Sequence, residues 1–228
     1  MRSSVPAAAA AVKPGGGLTP PRAARQSAAM TDRDRLLATL LRRSLRFGDF
    51  RLASGAKSPF YIDVRKTSLD AEGAAVIGRL LFAAYEAELK DGRITAVGGL
   101  TLGADPIVMA LLLEAQARGV GLDGFLVRKA QKAHGTGNLI EGNLAPGARA
   151  LIVEDVCTSG ESALAAVRAA RDAGASVEHA WCVVDREAGG AAALAAADVR
   201  LTACLSLAAL LAAAPAAGAG SAGPADGA

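Results

Sequence analysis

Between residues 94 and 184, short uninterrupted apolar stretches alternate with segments of helical period, and that alternation leaves few folds open. Residues 94–98, 124–127, 150–153 and 178–184 read as strands, and 106–118 and 162–173 as helices. Strands that are apolar on both faces must be covered on both faces. The pattern therefore predicts an α/β fold, with a mainly parallel central sheet and helices on each side. In such sheets ligands collect at the carboxyl ends of the strands, which is where functional residues are to be sought.

The rest of the 228-residue chain extends this unit without requiring a second one. Thr31 or Asp32 caps a helix whose apolar positions are Leu36, Leu37, Leu40, Leu41 and Leu45. Residues 60–64 read as a strand after the turn formers Ser54-Gly55 and Ser58-Pro59, and 70–89 as a helix. Residues 1–29 are rich in Ala, Pro and Gly, and every residue of 213–228 except Asp226 is Ala, Gly, Pro or Ser. Neither end has enough apolar surface to offset the entropy of ordering, so both are expected to be disordered around one domain at 30–212. The first segment bears arginine and no acid, as a transit peptide would, but lacks an amphipathic period; a dispensable extension before a start at Met30 fits it better.

Charge follows the same division. Of the 25 bases, Arg2, Lys13, Arg22 and Arg25 lie in residues 1–29, and one of the 22 acids is Asp226, which leaves 21 of each in 30–212. The net charge of +3 thus belongs to a tail, and nucleic-acid binding by the folded part loses its compositional support. No apolar run reaches the roughly 18 to 20 residues that span a bilayer. Cys157, Cys182 and Cys204 form no CxxC pair, which fits a reducing, cytoplasmic location better than a disulfide framework or a structural zinc.

One segment carries chemistry. Residues 151–162 run from a buried strand through Glu154, Asp155, Val156, Cys157, Thr158, Ser159 and Gly160 to Glu161 and Ser162 at the start of a helix. The loop can aim backbone N–H groups and the hydroxyls of Thr158, Ser159 and Ser162 at a phosphate on the helix N-terminus. The acids at the strand tip can accept hydrogen bonds from the vicinal hydroxyls of a ribose. A generic strand-to-helix turn is the alternative, but two adjacent acids at the exit of an apolar strand are costly unless solvated or paired. No GxxxxGK[ST] and no GxGxxG after a strand occurs, which excludes the common nucleotide loops. A second cluster, Arg128, Lys129, Lys132 and His134, precedes Gly135 and Gly137; it can swing positive charge onto an anion or be an ordinary solvated loop.

The first of these segments resembles the phosphoribosyl-pyrophosphate signature of the type I phosphoribosyltransferases. With residues 54–63 as a hood, 99–106 as a pyrophosphate-side loop and 128–137 as a mobile loop, the chain resembles the orotate phosphoribosyltransferase family over residues 31–212. The resemblance implies transfer of ribose 5-phosphate from phosphoribosyl pyrophosphate to orotate, within pyrimidine synthesis, with Mg2+ carried mainly by the pyrophosphate. It implies that Arg128, Lys129, Lys132, His134 and residues 154–162 bind phosphoribosyl pyrophosphate. Lys132, His134 and Asp155 are the expected catalytic residues, with His134 as a proton donor to the leaving group. Thr158 and Arg186 are expected to bind orotate, an arginine being suited to clamp a carboxylate; Arg186 could otherwise pair with Asp185 or Glu187. A homodimer sharing the loop 128–137 is also implied.

Two departures stand out: lysines found in some family members are replaced here by Ala53 and Leu102. Cys157 reads as a loop filler and His179 as structural. A purine-base phosphoribosyltransferase, or a regulator that binds the sugar phosphate without catalysis, are the competing readings.

Overall fold

The computed structural model describes residues 30–51, 55, 57–129 and 139–215. Helix α1 (Asp32–Thr39) begins with a capping box, in which the Thr31 hydroxyl accepts from Asp34 N and the Asp34 carboxylate accepts from Thr31 N. The helix widens into a π-helical turn at Leu40–Ser44 and ends where Leu45 opens strand β1 (Leu45–Arg51). Leu45 is buried as the helical period requires, yet it starts a strand that pairs antiparallel with β2 (Lys57–Ile62). This two-stranded hood replaces the expected single strand at 60–64.

A short helix α2 (Arg65–Ser68) leads from the hood to α3 (Ala71–Ala84), capped by Asp70, whose carboxylate accepts from Gly73 N. The helix expected over 70–89 is interrupted at Tyr85 before α4 (Glu86–Lys90). The break lets the Tyr85 ring enter the core, where its hydroxyl donates to Ala180 O at 3.3 Å. The main sheet then follows: β3 (Ala96–Leu100), α5 (Asp105–Ala117), β4 (Asp123–Val127), β5 (Ile140–Gly142), β6 (Arg149–Cys157), α6 (Glu161–Asp172), β7 (Ser176–Asp185), α7 (Gly190–Ala195), β8 (Arg200–Ser206) and α8 (Leu207–Ala212).

Its strand order is β5-β4-β3-β6-β7-β8, parallel throughout except for β5 at one edge. Alternation along β6 and β7 divides the core in two. Leu151, Val153, Trp181 and Val183 pack with α1, α3 and α5, while Ile152, Ala180 and Cys182 pack with α6 and α7. The central strands are therefore buried on both faces, as their all-apolar sequences require. Beyond the expected strand limits, β6 continues through Glu154–Cys157 and carries the acids past the core edge.

Candidate active site

The carboxyl ends of β3, β6 and β7 and the hood enclose a cavity of about 270 Å³. Its floor is the tip of β6, with Glu154, Asp155 and Val156; Ser162 of α6 lies beside them. Thr101, Leu102 and Gly103 form one wall, Phe60, Tyr61, Asp63 and Arg65 of the hood another, and Lys129 and Arg186 complete it. Six of the residues expected in the site thus share one concavity: Lys129, Glu154, Asp155, Val156, Ser162 and Arg186.

The acid pair is set by the strand and by close packing around it. Burial raises the Glu154 carboxyl to about 7; the neighbouring charge of Asp155 adds to this and the Ser162 hydroxyl opposes it. Glu154 Oε2 is buried without a hydrogen-bond partner, so it is ready to accept from a ligand hydroxyl. Burial also raises Asp155, against its own and Val156's backbone N–H groups and the Arg65 charge. The Asp155 carboxylate lies so close to Gly103 that a Cβ there would strike Oδ1. Glycine at 103 is what lets the loop after β3 approach the acid.

After β6 the chain turns through Thr158 and Ser159, both exposed, to Gly160 at φ 82°, the left-handed cap of α6. The loop is clasped from behind by Gly190, whose N–H donates to Thr158 O at 2.9 Å. Its exposed hydroxyls and the first-turn N–H groups of α6, which have no acceptor within the helix, are suited to accept an anion. Glu161 is exposed in that first turn. Cys157 points the other way: it is fully buried, and burial holds its thiol at about 12, so it supplies no nucleophile.

Arg186 leaves the end of β7 with its backbone N–H donating to Cys157 O at 2.9 Å. Among the described residues its guanidinium has no ion-pair partner; Asp185 instead accepts from Glu187 N at 2.8 Å. Arg128 stands apart from the cavity walls, its Nη1 donating to Glu141 at 3.3 Å. Its backbone N–H donates to Leu139 O, joining the two ends of segment 130–138 beside Lys129. Lys132 and His134 lie outside the described residues, as do Ala53 and Ser54. His179, near the amino end of β7, is far from this edge of the sheet and sits with its ring 5.5 Å from that of Tyr85.

The hood contributes groups that the sequence did not single out. Asp63 holds Arg65 through two parallel hydrogen bonds, Nε to Oδ1 at 2.8 Å and Nη2 to Oδ2 at 3.1 Å. The Asp-x-Arg spacing was the available signal, but its meaning depends on where the hood folds.

No family model matches the chain. It is 43% identical to the orotate phosphoribosyltransferase of Rhodopirellula baltica over 162 residues, covering 70% of this chain and 84% of the relative. Among solved structures it is similar to the orotate phosphoribosyltransferase of Mycobacterium tuberculosis. The complex of that enzyme with Fe(III) dicitrate gives a TM-score of 0.69 at 42% identity and covers 79% of this chain and 99% of that one. Its complex with 5-phospho-α-D-ribosyl 1-diphosphate gives 0.66 at 39% identity, with the same coverage.

Proposed function

The chain belongs to the orotate phosphoribosyltransferase family, and from that premise we propose how its own residues carry out the reaction. Ribose 5-phosphate passes from phosphoribosyl pyrophosphate to N1 of orotate. The bond from the anomeric carbon to the diphosphate oxygen breaks, the carbon–N1 bond forms, and the N1 proton leaves to solvent. Orotidine 5'-phosphate and pyrophosphate are the products, a step of pyrimidine synthesis.

The reading is carried by one observation: the acid pair, the start of α6 at Ser162 and Arg186, which has no ion-pair partner among the described residues, line one cavity at the edge of the sheet. Residues 158–162 take the 5-phosphate, and Glu154 and Asp155 take the ribose hydroxyls. As the sugar acquires oxocarbenium-like charge, the carboxylates beneath it stabilise the transition state. Arg186 clamps the orotate carboxylate, with Thr158 touching the ring, and Lys129 faces the phosphoribosyl pyrophosphate. Lys132 and His134 are assigned to the leaving diphosphate, His134 as its proton donor. Arg128, paired with Glu141, contributes at the base of that segment.

Magnesium fits this arrangement as a cation that arrives on its substrate, because the floor carries two carboxylates and no cluster of three metal-ligating side chains occurs among the described residues. Bound through diphosphate and ribose oxygens, it would neutralise charge on the leaving group.

The homodimer is supported by an apolar groove of about 770 Å³ that shares Asp63, Arg65 and Leu102 with the cavity. Leu69, Leu102, Met109 and Leu113 are all more than half exposed there. A patch of this kind marks an interface, and a second copy would bring a neighbour's residues to the rim of the site. Localisation in the cytoplasm accords with three unpaired cysteines, and no helix among the described residues is long and apolar enough to cross a membrane.

A steady-state assay with orotate, guanine, xanthine and adenine tests the reading. Turnover of orotate alone is expected; turnover of a purine without orotate would replace it with the purine-base alternative.

A further inference from the structure

The corner of the cavity beside residues 101–103 poses a charge problem. The resemblance puts the leaving diphosphate on this side, yet the loop of Thr101, Leu102 and Gly103 offers it backbone and no cationic side chain. Leu102 is 67% exposed and forms part of the apolar groove as well as the cavity. Besides Lys129 after β4, the cation lining this part of the cavity is Arg65, at the start of α2 directly after the hood.

Its orientation is fixed from below. The Asp63 side chain is only 16% exposed, against 44% for Arg65, so the acid is the anchored partner. Asp63 occupies Nε and one N–H of Nη2 and also accepts from Arg65 N at 3.2 Å. A guanidinium has five N–H donors, so the clamp leaves three, including both on Nη1. Among the described residues nothing else hydrogen-bonds to them.

Asp155 lines the same cavity, and its charge also acts on Arg65. If Arg65 collapsed onto Asp155, it would take the carboxylate away from the ribose. The Asp63 clamp counters this: it satisfies one edge of the guanidinium and leaves the other without a partner among the described residues, in the cavity that Gly103 and Asp155 also line.

We infer that Arg65, aimed by Asp63, binds the leaving diphosphate through its free edge and supplies the charge that Leu102 cannot. A planar fork suits this task because it meets two phosphate oxygens at once, which an ammonium does not. Asp63 is a positioning residue in this scheme. The inference rests on the phosphoribosyl-transfer function and goes beyond it by naming the diphosphate contact on the hood side.

The test uses the full chain and inorganic pyrophosphate as the probe. Arg65→Gln should weaken pyrophosphate binding in titration calorimetry by about tenfold or more, the usual effect of losing a charge-assisted pair. It should raise KM for phosphoribosyl pyrophosphate similarly and leave KM for orotate unchanged. Arg65→Lys should restore only part of the loss, and Asp63→Asn should reproduce the same selective loss with Arg65 intact. Unchanged pyrophosphate affinity in Arg65→Gln would overturn the inference. So would full rescue by lysine, or an equal loss for both substrates together with a lowered melting temperature, since that pattern belongs to a strut in the hood. If the unsubstituted chain failed to turn over orotate, the phosphoribosyl-transfer function itself would fall first, and the steady-state assay with the four bases separates that outcome.

Discussion

Glu154 shows how a residue can serve ligand binding at the expense of the unliganded fold. Its carboxyl is raised from 4.5 to about 7, so the folded chain holds a proton that the unfolded chain has released. That contribution to stability is fully present below about pH 4.5 and is lost as pH rises through 7, an effect on the order of 3 kcal/mol. Asp155 and Asp105 are shifted in the same direction, also mainly by burial, and add to the slope. Glu154→Gln cannot ionise. It should therefore melt above the parent at pH 8 and match it near pH 4.5, with a flatter profile between; thermal unfolding across that range checks this. The same variant should bind phosphoribosyl pyrophosphate less well, because the amide is a weaker partner for ribose hydroxyls.

At the scale of elements, the core of the fold rests on close contacts between helices. Gly78 of α3 lies against α5, where an added Cβ would come within 2.6 Å of Ala110 O. Backbone cannot yield as a side-chain tip does, so Gly78→Ala should push the two helices apart and cost about 1–3 kcal/mol, read as a lower urea midpoint. The elements legible in the sequence were those whose burial dictates their pattern: β3, β4, β6, β7, α5 and α6, together with the Thr31 cap. Strand β1 was hidden because Leu45 continues the helical period while Arg46, Asp49 and Arg51 offer no alternation. β5 has three residues, and α7, β8 and α8 lie in a run so rich in alanine that periodicity carries little signal. The break at Tyr85 answers to a contact with β7 95 residues away, which no local pattern contains. In the site, the acid pair, Ser162 and Arg186 were legible because polar residues directly after an apolar strand come to lie at the exposed edge of the sheet. Arg65 was not, because its aim depends on the hood folding back over the sheet.

The whole molecule is read from its apolar face. Leu69, Leu102, Met109 and Leu113 are exposed side by side along a groove next to the cavity, so a second copy is the expected cover. If the proposed dimer forms through this groove, the unsubstituted chain should sediment as a dimer and Met109→Asp, which places a charge there, as a monomer, with activity falling in step. Mixing inactive Lys132→Ala with inactive Asp155→Asn protein should recover activity in hybrids if each site borrows residues from its neighbour. The border formed by Asp63, Arg65 and Leu102 belongs to both hollows, so the proposed dimer would couple assembly to turnover through the same residues. Output per chain then depends on how crowded the chains are: diluted below the point at which partners separate, this protein should fall silent without unfolding, and concentrating it should wake it again.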